Sequence, residues 1–195
     1  APDELVDVFT SASDGDQYST NSYPDYLDLR ASSGTFSDLL GFSPMIAAEN
    51  FEDRSRLVLG EVVTGNYFQM LGIGPHIGRT LTPADDRPDA DRVVVVSYRF
   101  WRRELGGAPD AVGRTIRLRG QVYTIVGVAP PWFNGMTPLL APEMWLPVVR
   151  VTEVEPAGTH VERLRGRTVV VVDAEILRRR HQGGLDVVVR PGRMD

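Results

Sequence analysis

The chain contains no cysteine and no lysine. The first absence excludes disulfides and thiolate metal sites. It leaves the compartment open, because many secreted domains need no disulfide. The second removes the phosphate-binding loop Gly-x-x-x-x-Gly-Lys-Ser/Thr, which requires its lysine, so ATP chemistry of that kind cannot reside here. All 21 basic residues are arginine, which reads as the bias of a GC-rich genome rather than as a functional device. An excess of positive charge is missing too: the formal net charge is -5, which argues against nucleic-acid binding driven by phosphate neutralisation. The longest apolar stretch, Pro138 to Val149, is broken by Pro142, Glu143 and Pro147, and it falls short of the ~20 residues a membrane-spanning helix needs. Histidine is scarce, and His76, His160 and His181 sit in no His-x-x-x-His or Glu-paired arrangement that suggests zinc. The chain opens Ala-Pro-Asp-Glu without methionine or a basic-then-apolar leader, as an excised or processed fragment would.

What is present is a globular composition. With 195 residues and 42% hydrophobic content, the chain suffices for one large domain or two small lobes. The most informative stretch runs from Val93 to Val128. Val93 to Val96 is too short for a helix and β-branched throughout, so it predicts a buried strand. Ser97 caps a short helix on which Tyr98, Trp101 and Leu105 share one face and Arg99, Arg102 and Arg103 the other, ended by Gly106 and Gly107. Ile116 and Leu118 then alternate with Arg117 and Arg119, and alternation resumes through Val122, Thr124, Val126 and Val128, predicting a hairpin that turns near Arg119 and Gly120.

The remainder reads more coarsely. Leu5 to Phe9 alternates as a half-buried strand does, and Ser11 to Asn21 is a polar surface loop. Ser22 and Asp25 stand at capping-box spacing with Pro24 in the first turn, so a helix begins there, presenting Tyr26 and Leu29, with Tyr23 a further candidate, and ending at Ser32 to Gly34. Phe36 to Phe51 contains Pro44, which predicts an edge strand or one broken at that proline, with Leu57 to Val63 as its partner. Asn66 to Leu71 is a helical turn offering Tyr67, Met70 and Leu71 for burial, and Arg79 to Asp91 is a polar loop. Near the end, Val169 to Val172, Ala174 to His181 and Leu185 to Val189 admit a β-α-β reading. No internal repeat is visible.

Candidate sites are few. Gly72, Gly74 and Gly78 miss the dinucleotide-loop spacing, and Pro75 offers no N–H to a phosphate, so a sharp turn between lobes is expected there. Asp85, Asp86, Asp89 and Asp91 lack the calcium-loop pattern and, with Arg87 and Arg92 interleaved, read as a solvated acidic loop. Ser97 occupies the strand-to-helix position of an esterase nucleophile but lacks both flanking glycines, so its expected role is that of a cap. The cluster Arg163, Arg165, Arg167, Arg178, Arg179 and Arg180 reads as a solvated face in preference to a lipid or nucleic-acid surface. Trp132, Phe133, Met136 and Trp145 lie among prolines and glycines, and either pack under a loop or form an exposed recognition patch. No catalytic, cofactor-binding or metal-binding residue is singled out, and the expectation is a non-enzyme without cofactor.

Five blocks in order carry a family resemblance. They are Ser22 to Arg30, Val63 to Gly72, Gly78 to Asp86, Ser97 to Arg103, and Gly113 to Gln121 continuing through Tyr123 to Pro130. Together they resemble the periplasmic core domain of MacB-like ABC transporter permeases, in the form found in duplicated acidobacterial permeases, over roughly residues 1 to 149. The resemblance implies an α+β fold of two lobes. Residues 1–75 together with 150–195 would form a membrane-proximal α/β lobe, interrupted by a smaller β-rich lobe at 76–149 with a short helix. After Trp145-Leu146-Pro147 the chain departs from the family pattern, with Gly166-Arg167-Thr168 running into Val169 to Val172. The chain crossings near Ile73 to Gly78 and Pro147 to Glu155 would then act as hinges. The resemblance further implies an extracytoplasmic, non-catalytic domain that transmits conformational change and contacts an adaptor or exported substrate. Its partners would be the membrane-embedded remainder of the permease, an ABC ATPase, a periplasmic adaptor, or a second copy in a homodimer, with no nucleic acid. The alternative is a periplasmic small-molecule or peptide-binding module, with a hydrolase as the weaker rival.

Overall fold

A computed structural model describes residues 5–10, 23–32, 38–51, 54–136, 141–154, 169–173 and 187–191. The chain divides into two compact units, Ala1–Ser43 with His160–Asp195, and Pro44–Thr159.

The first unit holds β1 (Leu5–Thr10), α1 (Tyr23–Ser32), the start of β2 (Leu39–Phe51), β9 (Val169–Asp173) and β10 (Val187–Pro191). β1 pairs antiparallel with β10 on one side and β9 on the other, and β9 pairs antiparallel with Leu39 to Phe42. The two C-terminal strands of the β-α-β reading are therefore present, but β1 lies between them; the helix expected at Ala174 to His181 falls outside the described residues. In α1, Tyr26 is buried, stacks on Tyr23 at 5.7 Å and donates its hydroxyl to the Leu39 carbonyl at 3.1 Å.

Pro44 neither breaks β2 nor marks a sheet edge. The strand runs through it, pairing with β9 up to Phe42 and with β6 (Thr115–Leu118) only from Glu49, so the residue without an N–H sits between two partners. This corrects the edge-strand expectation.

The second unit contains the rest of β2 together with β3 (Arg54–Val63), α2 (Tyr67–Met70), β4 (Ile77–Gly78), β5 (Val93–Val96), α3 (Tyr98–Glu104), β6 (Thr115–Leu118), β7 (Gln121–Val128), β8 (Met144–Pro147) and α4 (Val151–Val154). Its strands run in the order β2–β3–β8–β5–β7, and β6 pairs with both β7 and β2. The pairing therefore closes on itself, making a six-stranded barrel with β4 attached outside it on β7. Closure removes the free edges of an open sheet. Alternation sends Met45, Val58, Val94, Ile116, Leu118 and Ile125 to the inside, all at most 2% exposed. Because β2 and β3 are staves of this barrel, residues 44 to 75 belong with the inserted lobe expected at 76–149, and both proposed crossings lie inside the second unit.

Local signals hold where the chain is self-sufficient. The Ser97 hydroxyl accepts from the Phe100 N–H at 3.1 Å, and beyond α3 the Gly107 N–H donates to the Trp101 carbonyl at 3.0 Å. The helix buries Phe100 as well as Trp101 and Leu105, and leaves its three arginines exposed. The β6–β7 turn places Arg119 at φ 48° and Gly120 at φ 82°, the positive values a two-residue hairpin of the I′ type requires. α2 departs from expectation: it buries Tyr67 and Phe68, while Met70 and Leu71 stay half-buried.

Candidate functional site

The aromatic residues singled out around Trp132 divide into a buried platform and an exposed tip. Glu61 lies on β3 opposite Trp145 of β8, on the outer face of the barrel, and is fully buried. Its Oε2 accepts from the Tyr67 hydroxyl at 3.0 Å and from the Trp145 indole N–H at 2.8 Å. Phe68, Phe133 and Trp145 pack mutually over it, with ring centroids 5.2–5.8 Å apart, and Phe68 meets Trp145 edge to face. The loop from Pro130 closes this layer. Gly135, at φ 76°, comes so near that a Cβ there would stand 2.8 Å from Glu61 Oε2 and 2.5 Å from Pro142 Cγ, so only glycine fits. Burial first, and then the Glu61 charge, holds the Tyr67 phenol well above its ordinary value, so it remains a donor at every physiological pH.

On this platform Trp132 is 64% exposed, its ring 6.2 Å from Phe133 and nearly perpendicular to it. A large apolar ring held out on this loop is displayed to solvent rather than packed in the core. Of the four residues considered, Phe133 and Trp145 are core, Met136 is half-buried, and Trp132 alone is displayed.

A second polar cluster ties α3 to one end of the barrel. Glu49 is 1% exposed; its Oε2 meets Arg56 Nε at 2.9 Å, and Oε1 has no hydrogen-bond partner among the described residues. Arg56 also reaches Glu143 at 2.7 Å and Glu104 at 3.5 Å, and lies over the Phe100 ring at 5.6 Å. Arg103 bridges Glu143 at 2.7 Å and Glu104 at 2.5 Å. Burial raises the Glu49 carboxyl above the ordinary range despite Arg56, with Glu104 and Glu143 adding to the rise. Glu143 is held below its ordinary value: burial pushes it up, but the hydrogen bonds and charges of Arg56 and Arg103 outweigh that. The two carboxylates thus have opposite linkage. Glu143 contributes stability at neutral pH that is lost as pH falls through its lowered pKa, whereas the contribution of Glu49 is fully present below the unfolded value of about 4.3 and is lost as pH rises through its raised one. Glu49→Gln, which mimics the protonated form, is therefore expected to gain on the native protein as pH rises from about 4 toward neutrality. Urea midpoints measured across that range test this; a difference that does not vary with pH would refute the assignment.

The other singled-out residues take structural roles. Asp85 is buried, not solvated: its carboxylate accepts from the Thr82 N–H at 2.8 Å and hydroxyl at 2.9 Å and forms a two-point pair with Arg79 at 2.8 and 2.9 Å. Asp86 accepts from the Gly65 N–H at 2.5 Å, and Asp89 and Asp91 are exposed. His76 packs against Tyr98 and Trp101. His160, His181 and the arginine cluster from Arg163 to Arg180 lie outside the described residues. Among the described residues no group of three or more His, Asp or Glu is placed to hold a metal ion, and no helix is long and apolar enough to cross a membrane. Sequence reasoning missed both Glu61 and Glu49; the available signal for Glu61 was a lone carboxylate within the apolar run Leu57 to Val63, whereas Glu49 precedes Asn50 in β2 and carries no comparable signal.

The comparisons agree with this architecture. The family model described as the MacB-like periplasmic core domain matches residues 1–192. No curated protein matches the chain. Among solved structures, the periplasmic region of MacB from Actinobacillus actinomycetemcomitans aligns with a TM-score of 0.64 at 13% identity, covering 88% of this chain and 74% of that one. The extracellular domain of the noncanonic ABC-type transporter YknZ from Gram-positive bacteria gives 0.64 at 14% identity, covering 88% and 83%. At such identities the structures speak for the fold, while the family match spans nearly the whole sequence. The chain belongs to the MacB-like periplasmic core domain family, the extracytoplasmic domain of ABC transporter permeases.

Proposed function

We propose that this domain is a non-catalytic transmitter, relaying conformational change from the membrane-embedded part of its permease to a partner outside the membrane, and that Trp132 is the anchor of that contact. The observation that carries the reading is the combination at one loop of an exposed indole and a rigid support: Trp132 stands on Phe133, Trp145 and Phe68, pinned in turn by Glu61. Tryptophan is enriched among residues that dominate binding energy, and an anchored loop loses little freedom when it binds. The partner is a periplasmic adaptor or the exported substrate itself. Transmission requires two arrangements of the domain that the rest of the permease can bias.

In the full-length permease, Trp132→Ala is expected to weaken the contact by at least 2 kcal/mol, about thirtyfold in affinity, as truncation of a central anchor does. Export should fall while ATP hydrolysis continues, because the energy source is intact and only its coupling is cut. The isolated domain should keep its denaturation midpoint to within about 0.5 kcal/mol, as surface substitutions usually do. Undiminished export in the variant would remove Trp132 from the mechanism.

A further inference from the structure

The outside of the barrel carries a second surface, opposite in character to the acidic chain as a whole. Glu49 and Arg56 meet on the inner face, so alternation puts Ile46 and Ala48 of β2 and Leu57 and Leu59 of β3 on the outer one. Leu57 is 73% exposed and Ile46 55%. β6 continues the surface: Arg117 pairs with Asn50 and with Val122, itself exposed, and the Arg119 N–H donates to the Ala48 carbonyl at 2.8 Å. Two aliphatic side chains and two guanidinium groups therefore share neighbouring strands of one unit.

The arginines give the patch its sign. Elsewhere on this unit Arg79, Arg92, Arg103 and Arg114 each engage a carboxylate. Arg99 and Arg102 of α3 are exposed and, among the described residues, form no ion pair, but they have no exposed aliphatic pair beside them on a strand. Arg117 and Arg119, both exposed, have no ion pair among the described residues, although the chain carries 26 acidic residues against 21 basic ones. Scattered exposed aliphatic residues need no explanation, but a neighbouring pair rimmed by guanidinium groups that have no carboxylate partner among the described residues forms a bipartite surface. Such a surface is complemented by aliphatic side chains flanked by carboxylates, which planar guanidinium groups grip at two points. A second copy of the chain would set Arg117 and Arg119 against their own counterparts across a two-fold axis, where like charges repel.

We infer that Ile46, Leu57, Arg117 and Arg119 form a docking surface for an acidic amphipathic segment of another protein. It uses residues distinct from the Trp132 loop and stands independently of that reading.

The test places a photo-reactive amino acid at position 57 of the full-length permease in its own cells, with Ala84, exposed on another loop, as the control position. Cross-linked peptides are sequenced. The expected result is one dominant partner segment whose aliphatic residues are flanked by Asp or Glu, absent from the control. Its yield should drop about tenfold in the Arg117→Glu, Arg119→Glu double variant, as expected for reversing charges at an interface rim, and much less in the Arg→Gln pair. Thermal melts of both double variants establish that the barrel is intact, and the Gln pair serves should the Glu pair fail to fold. The inference is overturned by no cross-link above control, by cross-links to a second copy or to lipid, by a partner segment without flanking carboxylates, or by a yield indifferent to charge reversal.

Discussion

Glu61→Ala is expected to cost about 2–6 kcal/mol of stability, since it strands two buried donors and each unsatisfied buried group costs about 1–3 kcal/mol. The donors are the Tyr67 hydroxyl and the Trp145 indole N–H, both on residues with no exposed surface. Two controls give this expectation its structure. Glu61→Gln keeps an acceptor near both and should recover most of the loss. Trp145→Phe removes one donor together with its need for a partner, and should cost less than Glu61→Ala although it trims a fully buried ring. Urea midpoints followed by tryptophan fluorescence provide the measurement. Glu61→Ala with a native midpoint would mean the aromatic platform does not depend on its carboxylate, and the rigid support claimed for Trp132 would go with it.

Trp101→Ala should be comparably severe, about 3–5 kcal/mol, the usual range for deleting a large buried aromatic. Trp101 is 7% exposed, packs against Tyr98 and His76 at 5.3 Å, and donates its indole N–H to the Ala108 carbonyl at 2.8 Å. One side chain thus holds α3 and also fastens the chain beyond it. Trp101→Phe should retain much of the packing and lose the bond to Ala108, giving an intermediate effect. Circular dichroism during denaturation distinguishes the cases, and an unchanged midpoint in Trp101→Ala would refute the docking of α3.

Between Val93 and Val128 the sequence was almost fully readable, because each determinant acts within a few residues: a serine three positions before the N–H it caps, two glycines after a helical turn, an Arg-Gly pair at a tight turn. The errors arose where pairing is distant. Pro44 looked like an edge signal because its neighbours β9 and β6 are contributed from far along the chain. The lobe boundary was placed near residue 75 because nothing in Arg54 to Val63 announces that it pairs with Met144 to Pro147. Glu61 was not singled out, since its tryptophan donor lies 84 residues away. Arg117 and Arg119 were read correctly as alternating with apolar residues, but their lack of carboxylate partners among the described residues is a property of three-dimensional neighbours and has no counterpart in spacing.

The position of β8 bears on how the molecule comes into being. This strand sits between β3 and β5, parallel to the first and antiparallel to the second, yet it is the last stave of the barrel in chain order. A chain emerging from its N-terminus thus exposes the facing edges of β3 and β5 until Met144 to Pro147 arrives, and closing so long a loop is slow compared with forming a hairpin. During that interval the nascent domain offers unpaired backbone to any strand nearby. A truncation ending near residue 140 should accordingly aggregate rather than yield a smaller folded core, and the period of greatest vulnerability in this protein's life is the one before its eighth strand is delivered.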